Sequence, residues 1–213
     1  MELDPKLSRI TQELAEHYST TFRTHGATPQ GVDWGREEDV LLRYAKMLEV
    51  IPAAEKSQRV SLLDVGCGYG GLLEYAQKNG YQIDYTGIDA SAELIEEAAR
   101  RAPTACWIHS DVLSLSNQVY DYVVCNGILT QKLQTSHLEM DRYAEKLIQK
   151  LFALSERGAA FNVMSTFVNY QRDNLYHRSP TEMLCFCLSQ ITRKVRLDHA
   201  YPLYEYTVYL YQP

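Results

Sequence analysis

The sequence predicts an α/β fold in which helices cover both faces of a mostly parallel, seven-stranded sheet. Five short apolar runs between residues 60 and 166 alternate with helical patterns, which is the order of parallel β–α units. Two further strand-like runs, 193–199 and 204–211, are separated by only a few residues. A crossover helix does not fit between them, so these two strands are expected to be antiparallel. The prediction is therefore a doubly wound sheet that ends in an antiparallel hairpin strand.

The stretch RVSLLDVGCGYGGLLEYAQKNG, residues 59–80, is the part around which the other elements are arranged. It predicts a buried strand, a turn containing Gly66, Gly68, Gly70 and Gly71, and then a helix. Glycine adopts backbone angles that other residues resist, and it lets a ligand approach the main chain closely. Amides at the start of the helix add hydrogen-bond donors and the positive end of a dipole. The stretch therefore predicts a ligand-binding turn, with a bare strand-to-helix turn as the alternative.

The residues before the first strand, 1–58, predict an N-terminal helical cap or lid. Apolar residues recur at three- and four-residue steps over 5–22 and over 36–51, which predicts two helices. Asp33 is placed to cap the second of them. Residues 59–213 form the sheet domain, and we expect the cap and the domain to make one compact unit.

The remaining elements continue the alternation of strand and helix. Ser91 is a predicted helix cap, and Gly158 is expected to close the long helix that precedes the fifth strand. The other predicted strands lie at 82–88, 106–110, 120–125 and 159–166, and the other helices at 90–102, 136–155 and 180–189.

Polar residues stand where the predicted parallel strands end. In an open α/β sheet, ligands bind outside the carboxyl ends of the strands. An acid that closes the second strand, 23 residues after the first glycine of the turn, suits a ribose whose two hydroxyls donate to one carboxylate. Helix capping is the alternative role for that acid. The residues at these ends are the segment 64–70, Asp89, Asp111, Asn126 and Gly127.

A nicotinamide- or flavin-dependent oxidoreductase is the main rival hypothesis. Gly66, Gly68 and Gly71 match the dinucleotide-binding spacing G-x-G-x-x-G. Three features oppose it: the acidic form DVGCGYG, the acid Asp111 where an adenine amino group could be bound, and the closing antiparallel pair. A catalytically silent cofactor-binding protein is a third hypothesis.

Four segments resemble a known family in order and spacing. LLDVGCGYG, YTGIDAS, HSDVL and YDYVVCNG are similar to the successive motifs of class I S-adenosylmethionine-dependent methyltransferases, over about residues 59–213. The resemblance implies a Rossmann-like methyltransferase fold, S-adenosyl-L-methionine as cofactor, and in-line transfer of a methyl group from its sulfonium. It also implies that the backbone of the Gly66–Gly70 turn, with Cys67 and Gly68, holds the methionyl part of the cofactor.

The same resemblance implies roles for the other strand-end residues. One acid orients the turn, a second binds the ribose and a third accepts from the adenine amino group. Two residues after the fourth strand lie near the sulfonium. By position, Asp64 orients the turn, and Asp89 binds the ribose. Ala90 lies against the adenine, whose amino group donates to Asp111 beside Val112. The sulfonium lies near Asn126 and Gly127.

The expected acceptor is a small molecule or biosynthetic intermediate that is methylated on oxygen or nitrogen. The N-P-P-[YF] pattern, which similar enzymes use for planar amino groups, is replaced by CNGILT after the fourth strand. The net charge of −6 also argues against a nucleic-acid partner.

Candidate side chains for the acceptor and the lid are fewer and less specific. His25, His137 and His177 are the candidate bases, and His177 has the best location because it follows the fifth strand. Trp34 is expected to cover the cofactor and Arg36 to meet its carboxylate. The alternative for this pair is a tryptophan packed under a loop beside a solvated arginine.

The sequence predicts a cytoplasmic protein. No apolar run approaches the roughly 18 residues of a membrane span, and MELDPKLSRI lacks the layout of a secretion signal. Five scattered cysteines predict reduced, mostly buried thiols and no metal site. The tyrosines of the final hairpin predict cross-strand packing, with a homodimer face or a substrate wall as alternatives.

Overall fold

The computed structural model describes residues 4–116 and 118–213, and strands and helices alternate along most of this length. Its α-helices are α1 (Pro5–His25), α2 (Glu37–Leu48), α3 (Gly71–Lys78), α4 (Ala92–Arg101), α5 (His137–Ala153) and α6 (Pro180–Gln190). Its strands are β1 (Val60–Val65), β2 (Ile83–Asp89), β3 (Cys106–His109), β4 (Tyr120–Cys125), β5 (Ser155–Ser165), β6 (His177–Arg178), β7 (Val195–Asp198) and β8 (Glu205–Tyr211).

The strands form one sheet in the order β3-β2-β1-β4-β5-β8-β7. The first five in this order are parallel, and β8 is antiparallel to both β5 and β7, so the predicted sheet and its antiparallel final pair are confirmed. One further strand was not predicted. The two-residue β6 pairs in parallel with the end of β5, and a strand of that length has no periodicity that a sequence could display.

Helices cover both faces of the sheet, as predicted. Alternate residues of β1 point to opposite faces, so Leu62 belongs to one core and Leu63 to the other. One core packs α2 and α3 against the sheet, and the other packs α1, α5 and α6. The helices of the N-terminal cap therefore contribute to both cores. The division at residues 58 and 59 stays a prediction.

Of the two predicted helix N-caps, Ser91 is confirmed and Asp33 is wrong. Ser91 is the N-cap of α4, and its side chain accepts a hydrogen bond from the Leu94 amide at 3.3 Å. Asp33 does not cap α2, because Arg36 occupies that position without a side-chain bond. Asp33 instead ends a 3₁₀ turn, with a left-handed φ of 60°.

The prediction that Gly158 closes the long helix is wrong. Helix α5 ends at Ala153, and Gly158 lies inside β5, opposite Tyr122 of β4 and Tyr211 of β8. A side chain does not fit there, since a Cβ atom would lie 2.9 Å from the Leu210 carbonyl oxygen. The glycine serves close strand packing rather than helix termination.

The cysteines and tyrosines follow their predictions in part. Three thiols are buried, but those of Cys106 and Cys185 are exposed, so the expectation of buried cysteines is wrong for these two. In the final hairpin Tyr206 and Tyr209 are fully buried, whereas Tyr204 is exposed. No helix in residues 4–116 and 118–213 is long and apolar enough to cross a membrane.

Replacing Gly158 with alanine is expected to destabilise the sheet. The added methyl group meets main-chain atoms of β8, which cannot move away as a side chain could, so we expect a loss of about 1–3 kcal/mol in unfolding free energy. Urea denaturation measures it. Gly35→Ala is the matched control, because nothing lies within 4 Å of its Cβ position. Equal stability of the two variants would contradict the packing described.

Candidate active site at the carboxyl ends of the strands

A cavity lies beyond the carboxyl ends of β1, β2 and β4 and is closed on one side by α1. It encloses about 940 Å³ when the solvent in its open mouth is counted. Most of the side chains expected at the cofactor line it. These are Trp34, Asp64, Gly66, Cys67, Gly68, Asp89, Ala90, Asp111, Val112, Asn126 and Gly127.

The glycine turn after β1 forms one wall of the cavity. Gly66, Gly68 and Gly70 all have positive φ, at 72°, 55° and 84°, which explains why glycine is needed at each. Gly68 faces open space, since its Cβ position has only Val32 at 3.5 Å. Gly70 does not line the cavity, because its Cβ position is 2.7 Å from the Trp107 ring. The backbone approach expected of the turn is thus open at Gly68, while Gly70 serves packing.

Asp89 joins the end of β2 to this turn. Its Oδ2 accepts a hydrogen bond from the Gly68 amide at 3.0 Å, and its Oδ1 accepts one from the Ser91 amide at 2.9 Å. Burial raises the pKa of the Asp89 carboxyl, and these backbone donors act in the opposite direction. A carboxylate offers about four lone-pair sites, so two remain for a ligand with paired hydroxyls.

Asp64 lies on β1 beneath the turn and is almost completely buried. Its Oδ2 accepts a hydrogen bond from the Tyr85 hydroxyl at 2.5 Å, across the β1–β2 pair. Burial raises the pKa of Asp64 to about 7, and the charge of Asp89 adds to the rise. Its bond is therefore to a neighbouring strand, and none is seen from its carboxyl to the backbone of the turn, which it was expected to orient.

The wall formed after β3 is held by Asp111. Its Oδ1 accepts from the Leu113 amide at 2.9 Å, which caps a short 3₁₀ turn, and Val112 within that turn is buried. On the neighbouring strand end, the Ala90 carbonyl lies 3.1 Å from Nε2 of His109. Ala90, Asp111 and Val112 line the cavity, so this part of its wall combines two apolar side chains with one acid.

Asn126 and Gly127 follow β4 and form the floor at the other end. Asn126 is buried, and both its side-chain oxygen and its side-chain nitrogen have no partner among the residues that the structure describes. Nearly all buried polar atoms in native proteins are hydrogen-bonded, so this amide is poised for a ligand. Gly127 has φ of 90°, and its Cβ position is 3.1 Å from the Trp34 ring.

A ring of contacts holds Gly127 and Trp34 together. The Gly127 amide donates to Oδ1 of Asn162 at 2.8 Å, and the Asn162 amide group donates to Glu205 at 3.1 Å. The buried Glu205 carboxylate pairs with Arg43, whose guanidinium lies 5.3 Å from the Trp34 ring centroid. Residues from α2, β5 and β8 thereby position the tryptophan over the loop after β4.

The sequence prediction missed the contribution of α1 to the cavity. Thr11, Leu14, Ala15 and Tyr18 line it, and the Tyr18 hydroxyl donates to the Gly127 carbonyl at 3.4 Å. Burial raises the pKa of Tyr18 well above its usual value, so the phenol stays protonated. The signal was present: Leu14 and Tyr18 lie on the apolar face of the first predicted helix, which was assigned to a cap or lid without any cavity residue named on it.

Besides Gly70, four predicted site residues do not lie at this cavity. Arg36 has a side chain that is 72% exposed and is bonded to Asp39 at the start of the same helix, so its contact with a cofactor carboxylate stays a prediction. His25 is exposed at the end of α1. His177 lines a second cavity beyond β5 and β6, together with His137.

Comparison with known proteins agrees with the fold and the sequence motifs. A family model described as a methyltransferase domain matches residues 62–151. Rv1506c of Mycobacterium tuberculosis, a protein named as a methyltransferase, is 34% identical over 150 residues, covering 70% of this chain and 90% of the relative. The trans-aconitate 2-methyltransferase of Afipia carboxidovorans is 35% identical over 86 residues, which are 38% of this chain and 32% of that enzyme.

The fold is also that of a solved methyltransferase. The magnesium protoporphyrin IX methyltransferase of Synechocystis PCC 6803, crystallised with bound S-adenosylmethionine, is similar with a TM-score of 0.64. The match has 15% sequence identity and covers 100% of this chain and 99% of that enzyme, so it bears on the fold. The chain therefore belongs to the methyltransferases, and its fold is the Rossmann-like methyltransferase fold.

Proposed function

We propose that this methyltransferase holds its cofactor in the cavity beyond β1, β2 and β4 and methylates a small molecule that reaches the Asn126 end. The observation that carries the proposal is the buried amide of Asn126, which lies in the same cavity as the open backbone at Gly68. Within residues 4–116 and 118–213, neither of its two polar atoms has a hydrogen-bond partner. Asp89, bonded to that backbone, supplies the free lone pairs. These groups fit an adenosyl cofactor with a ribose and an amino-acid tail.

The residues divide between the parts of the cofactor. Gly68 and its neighbours in the turn are assigned to the methionyl tail and Asp89 to the ribose hydroxyls. Asp111 and Val112 are assigned to the adenine, with Ala90 against its face. When bound, S-adenosyl-L-methionine supplies an electrophilic methyl group on a sulfonium that leaves as a neutral thioether.

The chain's own contribution is alignment and exclusion of water. Trp34 and Tyr18 both lie against Gly127, and both line the cavity. Holding two reactants in line supplies a large part of a transfer barrier, and a positioned base is needed only where the acceptor must lose a proton. His177 and His25 stay predictions as bases, since neither lines this cavity.

A small acceptor is supported by the relatives and by the charge of the chain. The name of one relative describes methyl transfer to trans-aconitate, a small molecule. A net charge of −6 disfavours a nucleic-acid partner. A cytoplasmic location and a homodimer stay predictions. The nicotinamide-dependent and the catalytically silent alternatives gain no support from the family to which the chain belongs.

Asp89→Ala is expected to weaken binding of S-adenosylhomocysteine by about 1.5–3 kcal/mol, the range for hydrogen bonds to a charged group. Titration calorimetry measures it, with NADH as a second titrant that we expect not to bind. Asp84→Ala is the control on the same strand, where the carboxylate is exposed and pairs with Arg59. Unchanged affinity in Asp89→Ala, or binding of NADH alone, would refute the assignment.

Asn126→Ala is expected to separate ligand binding from stability. Loss of one or two neutral hydrogen bonds should weaken S-adenosylhomocysteine binding by about 1–2 kcal/mol. The ligand-free protein should lose less than about 1 kcal/mol of unfolding free energy, because the amide has no protein partner to leave unpaired. Asn162→Ala is the control, a buried amide whose bonds to Gly127 and Glu205 are both made. Its loss of stability should be larger; the reverse order would contradict the proposal.

The raised pKa of Asp64 predicts a pH dependence of cofactor affinity. In the ligand-free protein Asp64 gives up its proton only near pH 7, whereas a cation in the same cavity favours the carboxylate. Affinity for S-adenosylmethionine should therefore rise by up to about tenfold between pH 6 and pH 8. Asp64→Asn removes this titration, and that of the ligand's own amine is common to both proteins. Identical pH profiles for the two proteins would show that Asp64 is not coupled to the ligand.

A further inference from the structure

A second cavity lies at the same edge of the sheet, beyond the ends of β5 and β6. It encloses about 680 Å³ including its open mouth. Every residue that lines it is polar, in contrast to the mixed lining of the first cavity. Its charged or titratable residues are Lys132, His137, Arg172, Asp173 and His177.

Two cations, Lys132 and Arg172, and one carboxylate, Asp173, line this cavity. Lys132 is half-buried, and its ammonium donates to the Thr135 carbonyl at 3.2 Å, which leaves two of its three protons for a ligand. The guanidinium of Arg172 lies 5.8 Å from the Tyr170 ring centroid. Neither cation forms an ion pair within the described part of the chain. In a protein with a net charge of −6, such a pair is suited to a carboxylate or a phosphate.

His177 adds a polar atom that has no partner. Its Nδ1 lies 2.8 Å from the Ser165 carbonyl, and because a carbonyl only accepts, Nδ1 carries the proton of that bond. The other ring nitrogen, Nε2, is buried with no partner in the residues that the structure describes. The hydrogen bond of Nδ1 fixes the orientation of the ring, which leaves Nε2 available to a ligand.

The two cavities are joined by the loop after β4. Gly127 lines the first cavity, and Lys132 of the same loop lines the second. The Tyr176 amide donates to the Thr130 carbonyl at 2.8 Å, which fixes the loop beside His177. On β5, Asn162 holds Gly127, and Thr166, four residues further on, lines the second cavity. Four residues of strand span about 13 Å, a length that a mid-sized molecule can bridge.

We propose that the second cavity binds an anionic oxygen group, a carboxylate or a phosphate, of the methyl acceptor. Lys132 and Arg172 provide the charge. With its proton on Nδ1, His177 offers Nε2 as an acceptor, so it contacts a hydroxyl or N–H group of the same molecule rather than the anionic group itself. The group is held about four strand residues, ~13 Å, from the position of Asn162 beside Gly127, so it is a recognition element rather than the methylation site. This inference rests on the proposed function, because it assigns the acceptor side of the same active site.

The binding step is tested with inorganic phosphate and with acetate, each titrated into ¹⁵N-labelled protein at constant ionic strength with chloride. We expect saturable shifts of the amide signals of Lys132, Arg172 and His177, and none at Gly66 or Gly68. The stronger of the two anions identifies the class of acceptor. Lys132→Gln and Arg172→Gln should each weaken the binding at least fivefold. Absence of shifts in the second cavity would overturn the proposal.

Matched controls remove the same charge elsewhere. Lys146→Gln on α5 and Arg193→Gln before β7 replace exposed cations that do not line either cavity. Equal weakening in the controls would show that the anions respond to net charge alone and would overturn the site. S-adenosylhomocysteine affinity is measured on all four variants. It should not change, so a failure of cofactor binding is distinguished from a failure of the second cavity.

The link to methyl transfer is tested with acceptor pairs. Formation of S-adenosylhomocysteine is screened with carboxylic acids and phosphate monoesters of metabolite size, each compared with its neutral amide or neutral phosphate ester. We expect acids to be preferred, and Lys132→Gln and Arg172→Gln to raise KM for the acid at least tenfold while the neutral partner is unaffected. Turnover of neutral acceptors that is indifferent to both substitutions would overturn the assignment, even if phosphate binds.

Discussion

The hydrogen bond from the Gly68 amide to the Asp89 carboxylate is the contact on which the site depends. It fixes the turn after β1 against the end of β2, at 3.0 Å, although the two residues are 21 positions apart in the chain. The register of the two strands brings Val65 opposite Ile88, so the pairing of the sheet delivers the acid to the turn. Any ligand that uses both groups therefore meets a surface that was set before it bound.

A second set of contacts does the same for the opposite end of the cavity. Glu205 is almost fully buried and is neutralised by Arg43, while Asn162 connects it to the backbone of Gly127. Truncating one member of a buried charge pair leaves the other without compensation, which makes such a group costly to change. The antiparallel strand β8 pairs with β5 and β7, and through Glu205 it also helps to hold the wall of the cavity.

Predictions made from local patterns succeeded where one residue type has one physical reason. Three glycines of the turn, Gly66, Gly68 and Gly70, have positive φ, and Ser91 caps its helix. They failed where two elements compete for the same residues. Gly158 reads as a helix stop, yet the strand pairing of β5 with β8 extends through it and decides its conformation. Arg36 is bonded to Asp39 and lies outside the cavity that Trp34 lines, so its role at the cofactor stays a prediction.

By itself the sequence determined the alternation of strands and helices, the glycine turn and the acids at the strand ends, because these depend on residue type and short spacing. Only the tertiary structure decided which side chains share a cavity. Tyr18 joins Gly127, and Arg43 joins Glu205, across separations of 109 and 162 residues. The amide of Asn126, which has no partner among the described residues, and the polar cavity around Lys132 are likewise visible only after folding. Whether a polar atom has a hydrogen-bond partner depends on all the residues that surround it in the fold.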